Sequence, residues 1–137
     1  MTTLIALESP TQSDYLATLC REHIPNNEHT YVVHALETED NQNAWADCRN
    51  ICAALGKSWT FHFAHDGKTP AECLITFAED HDIEQMILIA SDRTGTGKIK
   101  IGSTTADILF ADSIRGEFTV DGDFLYLEDL TYAPTSE

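Results

Sequence analysis

Residues 69–90, with the sequence TPAECLITFAEDHDIEQMILIA, decide the fold class of this chain. The first four residues (TPAE) place a capping Thr, a Pro at the first helical position and a Glu three residues after the cap, which predicts a helix start. Apolar residues then recur at three- and four-residue spacing, as expected of a helix packed on a core. Residues 86–90 (MILIA) are apolar throughout, which is typical of a parallel strand covered on both faces. A helix that leads into such a strand indicates an α/β sheet.

The same alternation extends along the chain on both sides of this stretch. Apolar or β-branched runs predict strands at residues 3–7, 30–36, 58–64, 86–90 and 117–120. Helical patterns separate these runs, and an alternating order of strands and helices implies parallel strands joined by right-handed crossovers. We therefore predict an open, doubly wound, Rossmann-like sheet of five parallel strands in the order 3-2-1-4-5.

The chain length of 137 residues fits one domain, which we divide into a core (1–120) and a C-terminal β tail (121–137). The tail begins with an Asp-Gly pair that lies between the apolar runs FTV and FLYL. This pattern predicts a β-hairpin, which we interpret as an extension of the domain.

The C-terminal segment also predicts self-association. Strand five is the sheet edge in the predicted order, and an exposed edge tends to be paired or covered. The segment has more large apolar side chains than a solvated terminus needs, namely Phe118, Val120, Phe124, Tyr126 and Leu127. We expect a homodimer built through this segment; the alternative is a ribbon that folds back over its own sheet within a monomer.

Acidic residues dominate the charge, since 23 Asp and Glu against 8 Lys and Arg give a formal net charge of −15. This charge opposes binding to DNA, RNA or an anionic membrane surface. The acids are spread along the chain, which favours a halophilic source. No membrane-length apolar run or secretory signal occurs, so we expect a cytoplasmic protein whose four cysteines are reduced.

A local basic segment stands out against this acidic background. Arg93, Lys98 and Lys100 are three of the 8 bases, and no acid occurs between residues 93 and 106. Several glycines allow close backbone approach in this segment, and Ser and Thr hydroxyls follow at a predicted helix start, where free N–H groups favour anions. Residues 91–104 therefore predict a phosphate site, although the glycines alone would also permit a plain surface turn and the hydroxyls a plain helix cap.

Two common nucleotide motifs do not fit this segment. A P-loop needs Ser or Thr after its Gly-Lys pair, but Ile99 follows Lys98, and Asp92 replaces the leading Gly. A dinucleotide fingerprint needs G-x-G-x-x-G after the first strand, whereas Gly95 and Gly97 follow the fourth strand and Lys100 stands where the third Gly belongs.

The residues do resemble the universal stress protein family. That family has an acidic residue after strand one, a His-containing second strand and a glycine-rich loop that ends in Gly-Ser before the last helix. This chain has Glu8, Val33-His34-Ala35, and Gly97-Lys98 leading to Gly102-Ser103. The stretch from Gly67 through TPA to Ile87 is also similar to the family pattern. The similarity covers about residues 2–120 of this chain, which resembles an acidic, haloarchaeal-type member.

The resemblance implies a stress-response regulator that binds an adenine nucleotide, ATP or AMP, with or without magnesium. It implies contacts from Ala6, Glu8, Ser9, Ala35, Ala90, Ser91, Arg93, Gly97, Lys98, Gly102, Ser103 and Thr104. Within this set Glu8 would lie near the ribose, Ala35 near the base and the 91–104 loop around the phosphates. Members of this family commonly form dimers through the last strand.

Other functional hypotheses stay open. ATP-binding members begin the loop with Gly-x-x-Gly, where this chain has Ala90 and Arg93, which favours a dimeric interaction module of the same fold that does not bind ATP. An adenylate-transferring enzyme is a third hypothesis, but no nucleophile, base or metal-ligand set is recognisable, and slow ATP hydrolysis is the most that we expect. His34 is expected to be a hydrogen-bonded core residue, and Trp45 and Trp59 are expected to pack in the core.

Overall fold

The computed structural model describes residues 2–7, 13–22, 29–35, 45–55, 59–64, 69–89, 92–93, 99–100, 103–121 and 124–132. Within these ranges strands and helices alternate from the N-terminus to residue 89, as the sequence predicts. The elements are β1 (Thr2–Ala6), α1 (Ser13–Glu22), β2 (His29–Ala35), α2 (Ala46–Leu55), β3 (Trp59–Ala64), α3 (Pro70–Asp80), β4 (Gln85–Ile89), β5 (Asp92–Arg93), β6 (Ile99–Lys100), α4 (Ser103–Leu109), β7 (Ile114–Asp121) and β8 (Phe124–Tyr132).

Four parallel strands form the predicted part of the sheet in the order β3-β2-β1-β4. β1 lies between β2 and β4, with Ala6 opposite Val33 on one side and Leu88 on the other. β3 continues the sheet beyond β2. The predicted strand order 3-2-1-4 is therefore confirmed.

The predicted position of the fifth strand, beside β4 and parallel to it, is wrong. β8 occupies the position beside β4 and runs antiparallel to it, and β7 lies outside β8 at the sheet edge. The sheet is thus mixed and six-stranded, and the second hairpin arm is part of it rather than an extension. The physical reason is burial: Phe124, Leu125, Tyr126 and Leu127 are buried on both faces of β8, whereas β7 is exposed along all but its first residue.

Helices cover both faces of the sheet, as expected of a doubly wound fold. On one face, Ile5, Val32, Ile87 and Phe124 belong to a buried cluster with residues of α1 and α2. On the other face, Leu4, Val33, Leu88 and Leu125 belong to a second buried cluster, with α3 and Ile108 of α4. The sheet is therefore the middle layer of an α/β/α sandwich.

The start of α3 confirms the capping prediction. The Thr69 hydroxyl accepts a hydrogen bond from the backbone N–H of Glu72, while the Glu72 carboxylate accepts from the backbone N–H of Thr69. This reciprocal arrangement satisfies two N–H groups that a helix start otherwise leaves unpaired.

Buried side chains on α2, α3 and β3 also match the predictions. Trp45 and Trp59 are buried in the core, as packing residues should be. Cys48, Cys52 and Cys73 are buried thiols, and burial raises the pKa of Cys48 to about 11 and that of Cys52 to about 12. The thiols of Cys48 and Cys52 therefore stay protonated and unreactive at neutral pH.

None of the helices within the described ranges has the length and apolar character needed to cross a membrane.

Candidate functional site

The winding of the sheet reverses at β1 and β4. The connections through α1 and α2 proceed from β1 to β2 to β3 on one face, whereas α3 leads from β3 back across to β4 on the other face. Neighbouring strands whose connections depart to opposite faces leave a crevice beyond their carboxyl ends. In this chain the reversal predicts a crevice beyond Ala6 of β1 and Ile89 of β4.

Small side chains end three neighbouring strands beside this crevice. Ala6, Ala35 and Ala64 are the last residues of β1, β2 and β3, and all three pack with the same core cluster on the α3 face. Ala35 lies directly opposite Ala64, and Ala6 and Ala35 are buried. The structure therefore brings the predicted residues Ala6 and Ala35 to one face and one end of the sheet. Ala64 was missed, although its position at the end of a predicted strand was a usable signal.

The predicted phosphate segment is closed by a short β-ribbon. Asp92 pairs with Lys100, and Arg93 pairs with Ile99, in an antiparallel two-stranded sheet. The segment is thus not a continuous loop from residue 91 to residue 104, because its flanks pair with each other. The ribbon follows β4, so the segment emerges from the strand that forms one side of the crevice.

Most of the other predicted site residues lie outside the described residues. Ser103 is the first residue of α4 and Thr104, half-buried, is the second. The side chains of Arg93 and Ser103 are not described. The predicted contacts that fall outside the described ranges are Glu8, Ser9, Ala90, Ser91, Gly97, Lys98 and Gly102.

Aromatic rings surround His34 near the carboxyl end of β2. The imidazole stacks on Trp45 with a centroid distance of 4.0 Å and an interplanar angle of 28°. Its Nδ1 atom lies 3.0 Å from the carbonyl oxygen of Leu7, the residue that follows β1. His34 is therefore the hydrogen-bonded residue that the sequence predicts, and it lies beside the crevice.

A second group of rings lies between β2, β3 and α3. Phe77 stacks on His81 at 3.9 Å, and Tyr31 lies within 5.6 Å of His29, His62 and His81. Burial lowers the pKa of His62, and repulsion from His81 and His29 lowers it further. The His62 imidazole is therefore neutral at neutral pH. His29 and Tyr31 lie toward the amino end of β2, so this group is separate from the crevice.

No three metal-ligating side chains come together in the part of the chain that the structure describes. The described residues place small apolar side chains at the carboxyl ends of β1, β2 and β3, beside the expected crevice, and the basic segment follows β4 in the sequence. Such a crevice suits a ligand with a flat apolar part and an anionic part.

Comparison with solved structures finds a universal stress protein from Archaeoglobus fulgidus. The match covers 82% of this chain and 93% of that chain, with 20% sequence identity and a TM-score of 0.55. At this identity the likeness shows a shared fold. No family model matches the chain, and no curated protein matches it significantly.

Proposed function

We propose that this chain is a stress-response regulator of the universal stress protein type that binds one adenine nucleotide in the crevice between β1 and β4. The observation that carries the proposal is the reversal of winding at these two strands, because open α/β sheets bind ligands at such a point. The base would lie near Ala6 and Ala35, and the phosphates near the basic segment after β4. Glu8 follows β1 in the sequence and would contact the ribose.

The charge distribution supports an anionic ligand at this position. Lys98, Lys100 and Arg93 are concentrated in one segment of a chain whose net charge is −15. A phosphate approaching elsewhere meets mostly like charge, whereas this segment attracts it. The buried thiols of Cys48, Cys52 and Cys73 support a reducing, cytoplasmic setting, and the acidic composition supports a high-salt one.

We expect an adenine nucleotide to raise the thermal stability of the protein. A ligand that binds only the native state stabilises it by about 2.7 kcal/mol at one hundred times its Kd, which for a domain of this size corresponds to roughly 10 °C in Tm. The measurement is thermal unfolding of the full chain with ATP, ADP or AMP, with and without magnesium. Replacing Gly102 by Val should remove the shift, because a branched side chain would obstruct close approach of phosphate to the backbone.

The control for Gly102→Val is Ala53→Val, which adds the same side chain at an exposed position of α2. This control should keep the full shift. A flat Tm with all three nucleotides at millimolar concentration would contradict the proposal, and an unchanged shift in folded Gly102→Val would place the ligand elsewhere.

The β5–β6 ribbon favours a second candidate function. Arg93 stands near a position where ATP-binding universal stress proteins have a glycine, and its backbone pairs with Ile99. A segment already closed by its own pairing has less freedom to wrap around phosphates. The alternative function is a dimeric interaction module of the same fold that does not bind ATP.

A homodimer through β7 is part of both candidate functions. Of the apolar side chains first expected to form the contact, Phe124, Tyr126 and Leu127 are buried in their own sheet, so only Phe118 and Val120 are available. They are 47% and 48% exposed on the edge strand and lie on the face that carries Leu125 and Leu127. An apolar groove of about 640 Å³ adjoins Phe118 and is lined in part by Ile108, Phe110 and Ile114.

The charges of β7 suit antiparallel pairing between two copies. If Phe118 lies on the twofold axis, Arg115 faces Asp121 of the second copy, and Val120 faces Gly116. Opposite charges on facing positions stabilise a strand pair, and like charges destabilise it. The expected arrangement therefore extends one sheet across two chains and buries the exposed edge.

We expect Phe118→Glu to convert the dimer into a monomer, because it places two carboxylates beside each other at the twofold axis. Sedimentation equilibrium measures the mass. Thr60→Glu introduces the same charge at an exposed position of β3, the opposite sheet edge, and should remain dimeric. A monomeric wild-type chain would refute the dimer, and a dimeric Phe118→Glu variant would refute this interface.

A further inference from the structure

The end of β1 is held by a side chain of β2. The Leu7 backbone N–H donates to the Val33 carbonyl at 3.0 Å, as in a regular parallel ladder. The Leu7 carbonyl, in contrast, accepts a hydrogen bond from Nδ1 of His34 at 3.0 Å. A carbonyl oxygen can only accept, so Nδ1 of His34 must carry a hydrogen atom to make this bond.

The His34 ring is itself fixed by aromatic neighbours from two other elements. Trp45, which immediately precedes α2 and is 2% exposed, stacks on it at 4.0 Å. Phe63 of β3 presents its edge at 6.2 Å and an interplanar angle of 83°. Trp45 also contacts Phe61 and Phe63. A ring held in this way presents its N–H in one direction and loses little freedom when it donates.

We propose that His34 is a positioning residue for the nucleotide site. It fixes the Leu7 carbonyl at the point where the chain leaves the sheet, directly before Glu8 in the sequence. His34 also immediately precedes Ala35, so one imidazole connects the end of β1 with the end of β2. This inference rests on the proposed function, since it assigns the bond a role in ordering the ribose and base side of the crevice.

The expected effect is on affinity rather than on the bound contacts. Without the hydrogen bond, only a fraction of the molecules would hold the backbone at residue 7 in the conformation that binds the nucleotide. The apparent Kd then rises by the inverse of that fraction. One net hydrogen bond changes such an equilibrium by about three- to tenfold. His34→Leu removes the donor, whereas His34→Asn keeps an N–H donor at the same bonded distance from Cα as Nδ1.

The test is calorimetric titration of full-length variants with ATP, with urea unfolding of each variant as a check on folding. We expect the Kd of His34→Leu to rise about three- to tenfold with a stoichiometry near one, and that of His34→Asn to stay within about twofold of wild type. His29→Leu removes a histidine from the amino end of the same strand and should bind as wild type does. A purely structural role of His34 would lower stability or stoichiometry and leave Kd unchanged.

A second measurement reports the bond without any nucleotide. A long-range ¹H–¹⁵N spectrum of the free protein should show His34 protonated on Nδ1. An unprotonated Nδ1, a wild-type Kd in His34→Leu, or equal loss in His34→Asn and His34→Leu would each overturn the proposal. If wild type itself does not bind ATP, ADP or AMP, both proposals fall, and the wild-type titration identifies the proposed function as the failure.

Discussion

A chain that ends at Asp121 should fail to fold. The cut removes β8, which pairs with β4 from Met86 to Ile89 and lies between β4 and β7 in the sheet. It removes Phe124 and Tyr126 from the core on one face and Leu125 and Leu127 from the core on the other. Burying one large apolar side chain contributes about 1.5–3 kcal/mol, so these four contribute roughly 6–12 kcal/mol. That amount is comparable to the whole stability of a domain, about 5–15 kcal/mol.

The C-terminal half of β8 adds further contacts. The backbone N–H of Leu130 donates to the carbonyl of Glu84 at 3.1 Å, and the Tyr132 hydroxyl donates to the carbonyl of Ile83 at 2.9 Å. Burial, together with Glu79 and Asp82, raises the pKa of Tyr132 to about 12, so the hydroxyl stays a donor at neutral pH. These bonds fix the turn between α3 and β4.

Urea unfolding and near-ultraviolet circular dichroism of the two truncated chains measure this effect. The chain 1–121 should show no cooperative transition and no near-ultraviolet signal. The control is the chain 1–132, which leaves β8 whole and should unfold cooperatively. A cooperative transition in the shorter chain would show that β8 is dispensable and would contradict its place inside the sheet.

Adding a methyl group at Gly116 should destabilise the fold strongly, although the residue is exposed. A Cβ atom there would lie 2.6 Å from the carbonyl oxygen of Glu128, 3.0 Å from Leu130 Cδ2 and 3.1 Å from Leu127 Cγ. The nearest atom belongs to the backbone, so it cannot move aside without breaking the β7–β8 pairing. Overpacking of this kind costs about 1–3 kcal/mol for one methyl group. Gly116→Val should cost more.

The strand pairing explains why the approach is so close. Arg115 pairs with Thr131 and Glu117 pairs with Glu128, so one residue of β7 faces two of β8. One of those two, Asp129, has a positive φ of 53°, as expected at a β-bulge. Gly116 faces this bulge, where only a hydrogen atom fits.

The sign of the stability change in Gly116→Ala distinguishes the close contact from the general effect of replacing a glycine. Gly→Ala at an unconstrained position usually stabilises by about 0.4–1 kcal/mol. We expect the midpoint of urea unfolding to fall by roughly 1 M in Gly116→Ala. Thr119→Ala, at an exposed position of the same strand, should change stability by no more than about 0.5 kcal/mol. An unchanged or higher midpoint in Gly116→Ala would contradict the close contact.

Local sequence signals predicted the elements that depend on neighbouring residues. The α3 start followed from a capping box, which is complete within four residues, and β4 followed from an uninterrupted apolar run. The run FLYL at residues 124–127 has the same apolar character as MILIA, but we did not use it to predict a strand buried on both faces. We interpreted FLYL as an extension of the domain, which was wrong. The alternating FTV run at residues 118–120 fits the edge of the sheet better than FLYL does.

The candidate site was predictable only in part because its residues follow strands rather than lie within them. Ala6 and Ala35 end strands that periodicity identifies, so their common face and common end could be predicted. The role of His34 could not, because its partner Leu7 lies 27 positions away and its stack with Trp45 depends on how α2 begins. Spacing along a chain does not encode such contacts between elements.

Calorimetric titration of the purified full-length protein with ATP, ADP and AMP, with GTP as the comparison, tests adenine nucleotide binding most directly. We expect saturable binding of one adenine nucleotide per chain, weaker binding of GTP, and loss of the signal in folded Gly102→Val. No saturable heat with any adenine nucleotide at millimolar concentration, from protein that unfolds cooperatively, would contradict the proposed function and leave the nucleotide-free interaction module.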